Sequence, residues 1–181
     1  GHMLANELRD LGANNIHVVE NGFDKKDLLN TDVSLDEKFS ISHIGSFTPS
    51  RNHQSFWKAI KELLNEDELF AKKFQLKLIG KVDYSVLESI KGYGLEQYLH
   101  HIPYLSHDLV IKQQINSHLL LLMVNNTPNA KGIITGKIFE YMASSRPTLI
   151  IGPTDGDVAK IVHKCNAGVS CDINDVAKIK K

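Results

Sequence analysis

"GIITGKIFEYMASSRPTLIIG", Gly132–Gly152, sets a glycine-punctuated loop, a helical pattern and a short apolar run end to end. The run Thr148–Gly152 is apolar on both faces, so as a strand it must be covered on both sides. The helical pattern Gly136–Ala143 connects it back to a second such run, His118–Val124. Two doubly buried strands joined by one helix make the repeating unit of a parallel sheet. The same rhythm predicts strands at Ile16–Glu20, Ile41–Phe47, Phe74–Gly80, Leu99–Ile102 and Gly168–Cys171. Helices are predicted at Asn52–Leu64, Tyr84–Tyr93, Asp108–Ile115 and Asp155–Lys164. Leu4–Leu11 and the closing "CDINDVAKIKK" read as helix pieces, and the charged, aperiodic Asp24–Lys38 reads as a surface connector.

The expected fold class is therefore α/β, a doubly wound (Rossmann-like) parallel sheet with helices on both faces. Ligands of such sheets sit at the carboxyl ends of the strands, here the loops after Phe47, Gly80, Ile102, Val124 and Gly152.

Composition narrows the chemistry. Of 181 residues, 42% are hydrophobic, enough for one cored domain. Gly1-His2-Met3 reads as the remnant of a cleaved tag, leaving residues 4–181 as a single domain. Lys plus Arg and Asp plus Glu stand at 21 each, so no overall field draws nucleic acid, and an anion site has to be local. No apolar run approaches the length of a bilayer-spanning helix. Cys165 and Cys171 have no metal-type spacing and read as buried thiols.

The Gly136-Lys137 pair invites comparison with an ATP phosphate loop, and fails it. Gly132 stands one residue too near, and Ile138 replaces the hydroxyl that would hold magnesium. What remains is a loop leaving a buried strand, with Thr135 placed to cap, Gly136 without a side chain, and Lys137 in the first helical turn. Amides and ammonium together could hold a phosphate. Glu140, three residues on, could accept bonds from vicinal hydroxyls such as a ribose's. The competing reading is an exposed ion pair between Lys137 and Glu140.

"HVVENGFD" (His17–Asp24), "ISHIGSFTPSRNHQSFWKAI" (Ile41–Ile60), "LKLIGKV" (Leu76–Val82), "HHIPYLSHDLVIKQQINSHLLLL" (His100–Leu122) and the opening segment occur in an order and spacing that carry a resemblance. The chain resembles the C-terminal, nucleotide-sugar-binding domain of the family 4 glycosyltransferases, enzymes of two facing doubly wound domains (the GT-B fold). The resemblance implies an excised part of a longer transferase, inactive alone, that binds a nucleoside diphosphate sugar (a UDP-, GDP- or ADP-sugar) and needs no metal or other cofactor. It implies retention at the anomeric carbon, an acceptor-binding N-terminal domain outside this chain, and an acceptor such as a surface polysaccharide. A cytoplasmic enzyme is expected, with peripheral contact at the inner face of the membrane in the full-length protein. A nucleotide-sugar epimerase of the same fold and a non-catalytic nucleotide-binding module are the alternatives.

Carried over by position, Thr135, Gly136, Lys137 and Ile138 would meet the diphosphate and Glu140 the ribose. Gly45, Ser46, Gly80 and Lys81 would line the approach, and the main chain at Ile102 would touch the base. Lys137 and Arg51 are the expected catalytic cations. The family commonly has Arg and Lys where this chain has Ser46 and Asn52; Arg51, adjacent, and Lys137, in the opposite loop, are the candidates for the missing charge. The first of the family's two glutamates falls on Gly132. "DGD" (Asp155–Asp157) reads as a helix cap rather than a metal motif. His100, His101 and His107 read as non-ligands, and Phe56 and Trp57 as core.

Overall fold

The structure is a computed structural model that describes residues 1–24 and 33–181. Six strands form one sheet: β1 (Phe39–Ile44), β2 (Phe74–Ile79), β3 (Leu99–Ile102), β4 (Leu119–Met123), β5 (Thr148–Ile151) and β6 (Gly168–Cys171). They lie in the order β3-β2-β1-β4-β5-β6, and every neighbouring pair is parallel. The order reverses between β1 and β4, so the loops leaving these strands diverge and open a crevice at the carboxyl edge.

Eight α-helices complete the described chain: α1 (His2–Asp10), α2 (Gln54–Glu66), α3 (Glu68–Lys73), α4 (Tyr84–Gly92), α5 (His107–Asn116), α6 (Lys137–Ala143), α7 (Asp157–Lys164) and α8 (Val176–Ile179). Strand β4 shows why both faces of the sheet need them. Leu121 and Met123 enter one core with Phe56, Trp57, Leu76, Leu78 and Ile90, while Leu120 and Leu122 enter another with Ile44, Ile138, Tyr141 and Val158. A period of two in an all-apolar strand delivers side chains alternately to two layers. Phe56 and Trp57 are completely buried, as their helical spacing implied. No described helix is long and apolar enough to cross a membrane.

Four local features differ from the sequence expectations. Ile16–Glu20 forms no strand and pairs with none in the sheet, and Val19 is 90% exposed. Its apolar alternation suits a strand, yet neither edge strand, β3 nor β6, takes it as a ladder partner, and a strand without a partner forms no ladder. Helix α3 was not foreseen because six residues give too short a period to detect. Its Asp67 caps it, accepting from the amides of Leu69 and Phe70 at 2.9 Å. Of the connector Asp24–Lys38, residues 25–32 lie outside the described residues. Asp36 is no loose surface group, since it pairs with the buried Lys77 of β2 at 2.8 Å. Cys171 is buried as expected, but Cys165 is exposed at the end of α7, where the chain leaves the core.

Candidate functional site at the strand-order reversal

The turn after β1 sets the geometry. Gly45 has φ +108°, and a Cβ there would stand 2.2 Å from the Lys137 Nζ. Only glycine lets the ammonium rest against the main chain at this point. Lys137, first residue of α6, thus reaches across the reversal from the β4 side to the β1 side. Gly80, φ +117°, serves a different neighbour: its missing Cβ makes room for the Gly45 main chain, whose carbonyl oxygen would otherwise be 2.9 Å away. The backbone itself fills this space, so Gly80 supports the turn from behind.

Arg51 joins Lys137. Its Nε donates to Asn125 Oδ1 at 2.6 Å, in the loop after β4, and its Nη1 donates to the Ser46 carbonyl at 2.8 Å. The Asn126 amide donates to the Ser50 carbonyl at 2.7 Å, tying the two diverging loops together. Asn52 turns away: it accepts from the Trp57 indole N–H and donates to the Ser85 carbonyl and Ser89 hydroxyl. Arg51 and Asn52, adjacent in the turn, thus engage opposite sides: Arg51 the loop after β4, Asn52 the α2–α4 side.

Neither Lys137 nor Arg51 forms a salt bridge among the described residues. Burial, and then the Arg51 charge, hold the Lys137 ammonium down at a pKa of about 8, against a smaller upward pull from Glu140. The surface-pair reading does not hold. Lys137 and Glu140 are not ion-paired. The Glu140 carboxylate instead accepts from Gln114 Nε2 at 3.1 Å.

Around the helix start, the Gly136 and Lys137 amides have no acceptor among the described residues. Thr135 does not cap α6 as the sequence suggested. Its backbone carbonyl receives the Ile138 amide, while its hydroxyl is buried without a partner. Gly136 already has helical dihedrals, so the Thr135 side chain is out of reach of the next amides. The Ile138 side chain is fully buried. With seven residues, α6 sums few peptide dipoles, and the two side-chain cations dominate the local field. Asn21, from the segment entering the domain, lies beside Gly136.

Other expected positions are further back. The Ile102 carbonyl accepts from the Gly80 amide at 2.8 Å, and the Lys81 carbonyl from the Phe47 amide at 2.9 Å. Ser46 is exposed. Gly132 ends a short 3-10 turn beside α1. His2 and Met3, read as tag remnant, are part of α1, and the Met3 amide donates to the Asp157 carboxylate at 2.9 Å. "DGD" does not cap α7, whose cap residue is Gly156. Asp155 pairs with Lys131 at 2.6 Å and Asp157 is buried, so neither carboxylate reaches the free amides of that helix. His100, His101 and His107 enter no metal-type cluster among the described residues.

His43 was not singled out from sequence, where it is one polar residue inside an apolar strand. Its ring is buried beneath the Gly45 turn, with Nδ1 donating to the Leu121 carbonyl at 3.1 Å and Nε2 lacking a partner. Burial first, then the Lys137 charge, push its pKa down to about 3. Folded His43 stays neutral where an unfolded chain protonates near 6.5. Stability from this group is therefore whole above pH 6.5 and lost as pH falls toward 3, on the order of 3 kcal/mol by pH 4. Urea unfolding at pH 7 and pH 4 should show His43→Asn losing less stability on acidification than the native chain. Equal losses would remove His43 from the acid response. Tyr141 completes the floor, its buried hydroxyl accepting from the Ile44 amide at 3.1 Å.

Parallel order and a strand-order reversal define a doubly wound α/β domain, and the chain has the fold of the C-terminal half of the GT-B glycosyltransferases. An S. aureus TarM variant, in complex with fondaparinux, alpha-GlcNAc-glycerol and UDP, matches over 97% of this chain and 34% of its own, with TM-score 0.67 and 16% identity. The C-terminal domain of the glycosyl transferase group 1 protein LpcC from Francisella tularensis matches over 88% of this chain and 80% of its own, with TM-score 0.57 and 14% identity. A candidate UDP-N-acetylglucosamine 2-epimerase from Listeria monocytogenes matches over 88% and 39%, with TM-score 0.52 and 13% identity. The chain spans 40% of WaaG, a lipopolysaccharide glycosyltransferase of the same fold. No protein-family profile and no curated protein sequence matches the chain.

Proposed function

We propose that this chain is the donor-binding domain of a glycosyltransferase that moves a sugar from a nucleoside diphosphate sugar to an acceptor. One observation carries the reading: Lys137 and Arg51 converge over the Gly45 turn with no carboxylate paired to either among the described residues. Two partly desolvated cations side by side raise the energy of the empty site, and a bound anion offsets that cost. A diphosphate suits the span, one phosphate against Lys137 and the free amides of Gly136 and Lys137, the other toward Arg51. The unpartnered Thr135 hydroxyl supplies one further donor. Glu140 takes the ribose, as the resemblance to family 4 implies, and retention rests on that resemblance alone. As the sugar leaves, negative charge grows on the diphosphate, and prearranged donors in a corner closed from water stabilise it without rearranging.

An acceptor-binding domain beyond this chain would complete the cleft, so the isolated domain should bind donor and transfer nothing. A nucleotide-sugar epimerase of the same fold is the second reading, favoured by the likeness to the L. monocytogenes protein. It would share the diphosphate grip and differ in the acid-base groups facing it.

Calorimetry of the chain with UDP, GDP, ADP and their glucose derivatives tests the proposal. One base should bind best, and inorganic diphosphate should compete. If none binds, a non-catalytic module replaces the transferase reading. Transfer by the isolated chain would contradict the two-domain proposal.

A further inference from the structure

Helix α5 buries the stripe Ile111, Gln114 and Ile115, and Gln114 breaks it. The residue is 2% exposed, in a place where leucine would be buried without the cost of a polar group. The amide's hydrogen bond accounts for it: Nε2 donates to Glu140 Oε2 at 3.1 Å, from α5 to the exposed face of α6. The crevice on this side of Glu140, bordered by Ile111 and Ala143, holds only about 20 Å³. That is space for roughly one water and not for a sugar ring. The oxygen held by Gln114 is thus the one turned toward α5, and Glu140 Oε1 has no hydrogen-bond partner among the described residues.

We propose that Gln114 is a specificity-determining positioning residue: by holding one oxygen of Glu140, it aims the other at the vicinal hydroxyls of a nucleoside diphosphate's pentose. This rests on the donor-site reading above. A free glutamate on an exposed helix face samples several rotamers, and a carboxylate shared with a buried amide samples few. Gln114 touches no ligand. Its effect should appear only with ligands that bear the hydroxyls.

The test compares UDP, GDP and ADP with their 2′,3′-dideoxy counterparts, binding each to the native chain and to Gln114→Met, which keeps length and loses the donor. The native chain should favour the ribose form of the base it prefers by tenfold or more. Gln114→Met should weaken that form roughly fivefold to tenfold and leave the dideoxy form unchanged. In a Glu140→Ala background the same substitution should change neither. If Gln114→Met does not fold, Gln114→Asn, which keeps the amide but withdraws it by one carbon, should give the same selective loss. Equal weakening of both forms would make Gln114 merely structural. Native binding without discrimination against the dideoxy form would overturn this proposal and leave the diphosphate site standing. Absence of any nucleotide binding by the native chain would overturn both.

Discussion

Lys137→Met should make the ligand-free domain more stable while weakening its hold on a nucleoside diphosphate about a hundredfold. Both effects have one cause. The native ammonium is partly buried beside Arg51, which brings its pKa from 10.5 down to about 8. Methionine keeps the length of the stem and removes the charge, so packing survives and the repulsion ends. Order-of-magnitude linkage puts the gain at about 1–3 kcal/mol near pH 7. Between pH 8 and pH 10.5 the folded chain binds fewer protons at this site than the unfolded chain. Native stability should therefore climb across that interval, and the variant should lack the climb. Affinity follows the reverse course, since the free amine attracts no phosphate. Binding should be strongest between about pH 6, where the terminal phosphate is doubly ionised, and pH 8. Above pH 8 it should fall by nearly tenfold per unit, a slope absent from Lys137→Met. In a full-length enzyme Lys137→Ala should lower turnover by roughly a hundredfold or more, comparable to losing an anion-hole donor. Urea unfolding and calorimetry on the same samples decide the matter. A variant that loses stability and retains affinity would show that Lys137 is a structural side chain.

Substituting alanine at the two glycine turns should separate folding from binding. At Gly80 the new Cβ would come within 2.9 Å of the Gly45 carbonyl oxygen, 3.0 Å of its carbon and 3.1 Å of its Cα. These are main-chain atoms of the adjoining turn. The Gly45 amide is itself bonded to the Ile79 carbonyl, and the Gly80 amide to that of Ile102, so neither turn can yield alone. Adding the strain of alanine at φ +117°, Gly80→Ala should lose about 2–4 kcal/mol. At Gly45 the obstacle is the tip of the Lys137 side chain, which can swing away. Gly45→Ala should lose only about 1–2 kcal/mol, from backbone strain, yet bind nucleotide as poorly as Lys137→Met. Chemical unfolding with nucleotide titration on both variants measures the contrast. If Gly80→Ala is as stable as the native chain, the two turns are not locked together.

Much of this was legible in sequence because it depends on local pattern. Apolar runs such as Leu119–Val124 require cover on both faces wherever they occur, and strands alternating with helices leave a parallel sheet as the economical way to provide it. Gly45, Gly80 and the Gly136-Lys137 pair also marked the carboxyl edge of the sheet, since glycine turns follow the strand ends there. The strand reading of Ile16–Glu20 failed for the complementary reason. Alternation describes what a segment could present to a neighbour and says nothing about whether a neighbour exists.

The site's electrostatics belong to the tertiary structure. Arg51 and Asn52 are adjacent in sequence, but the orientation of the turn sends one to the crevice and the other to Trp57. Thr135 and Asp155 have the composition of caps, yet Gly136 is already helical and Asp155 pairs with Lys131 instead. Lys137 meets Gly45 across more than ninety positions of chain, and Gln114 meets Glu140 between separate helices. Periodicity determines which residues are buried. Only the folded chain decides which charge is left without a partner, because that depends on distances between residues the sequence holds far apart.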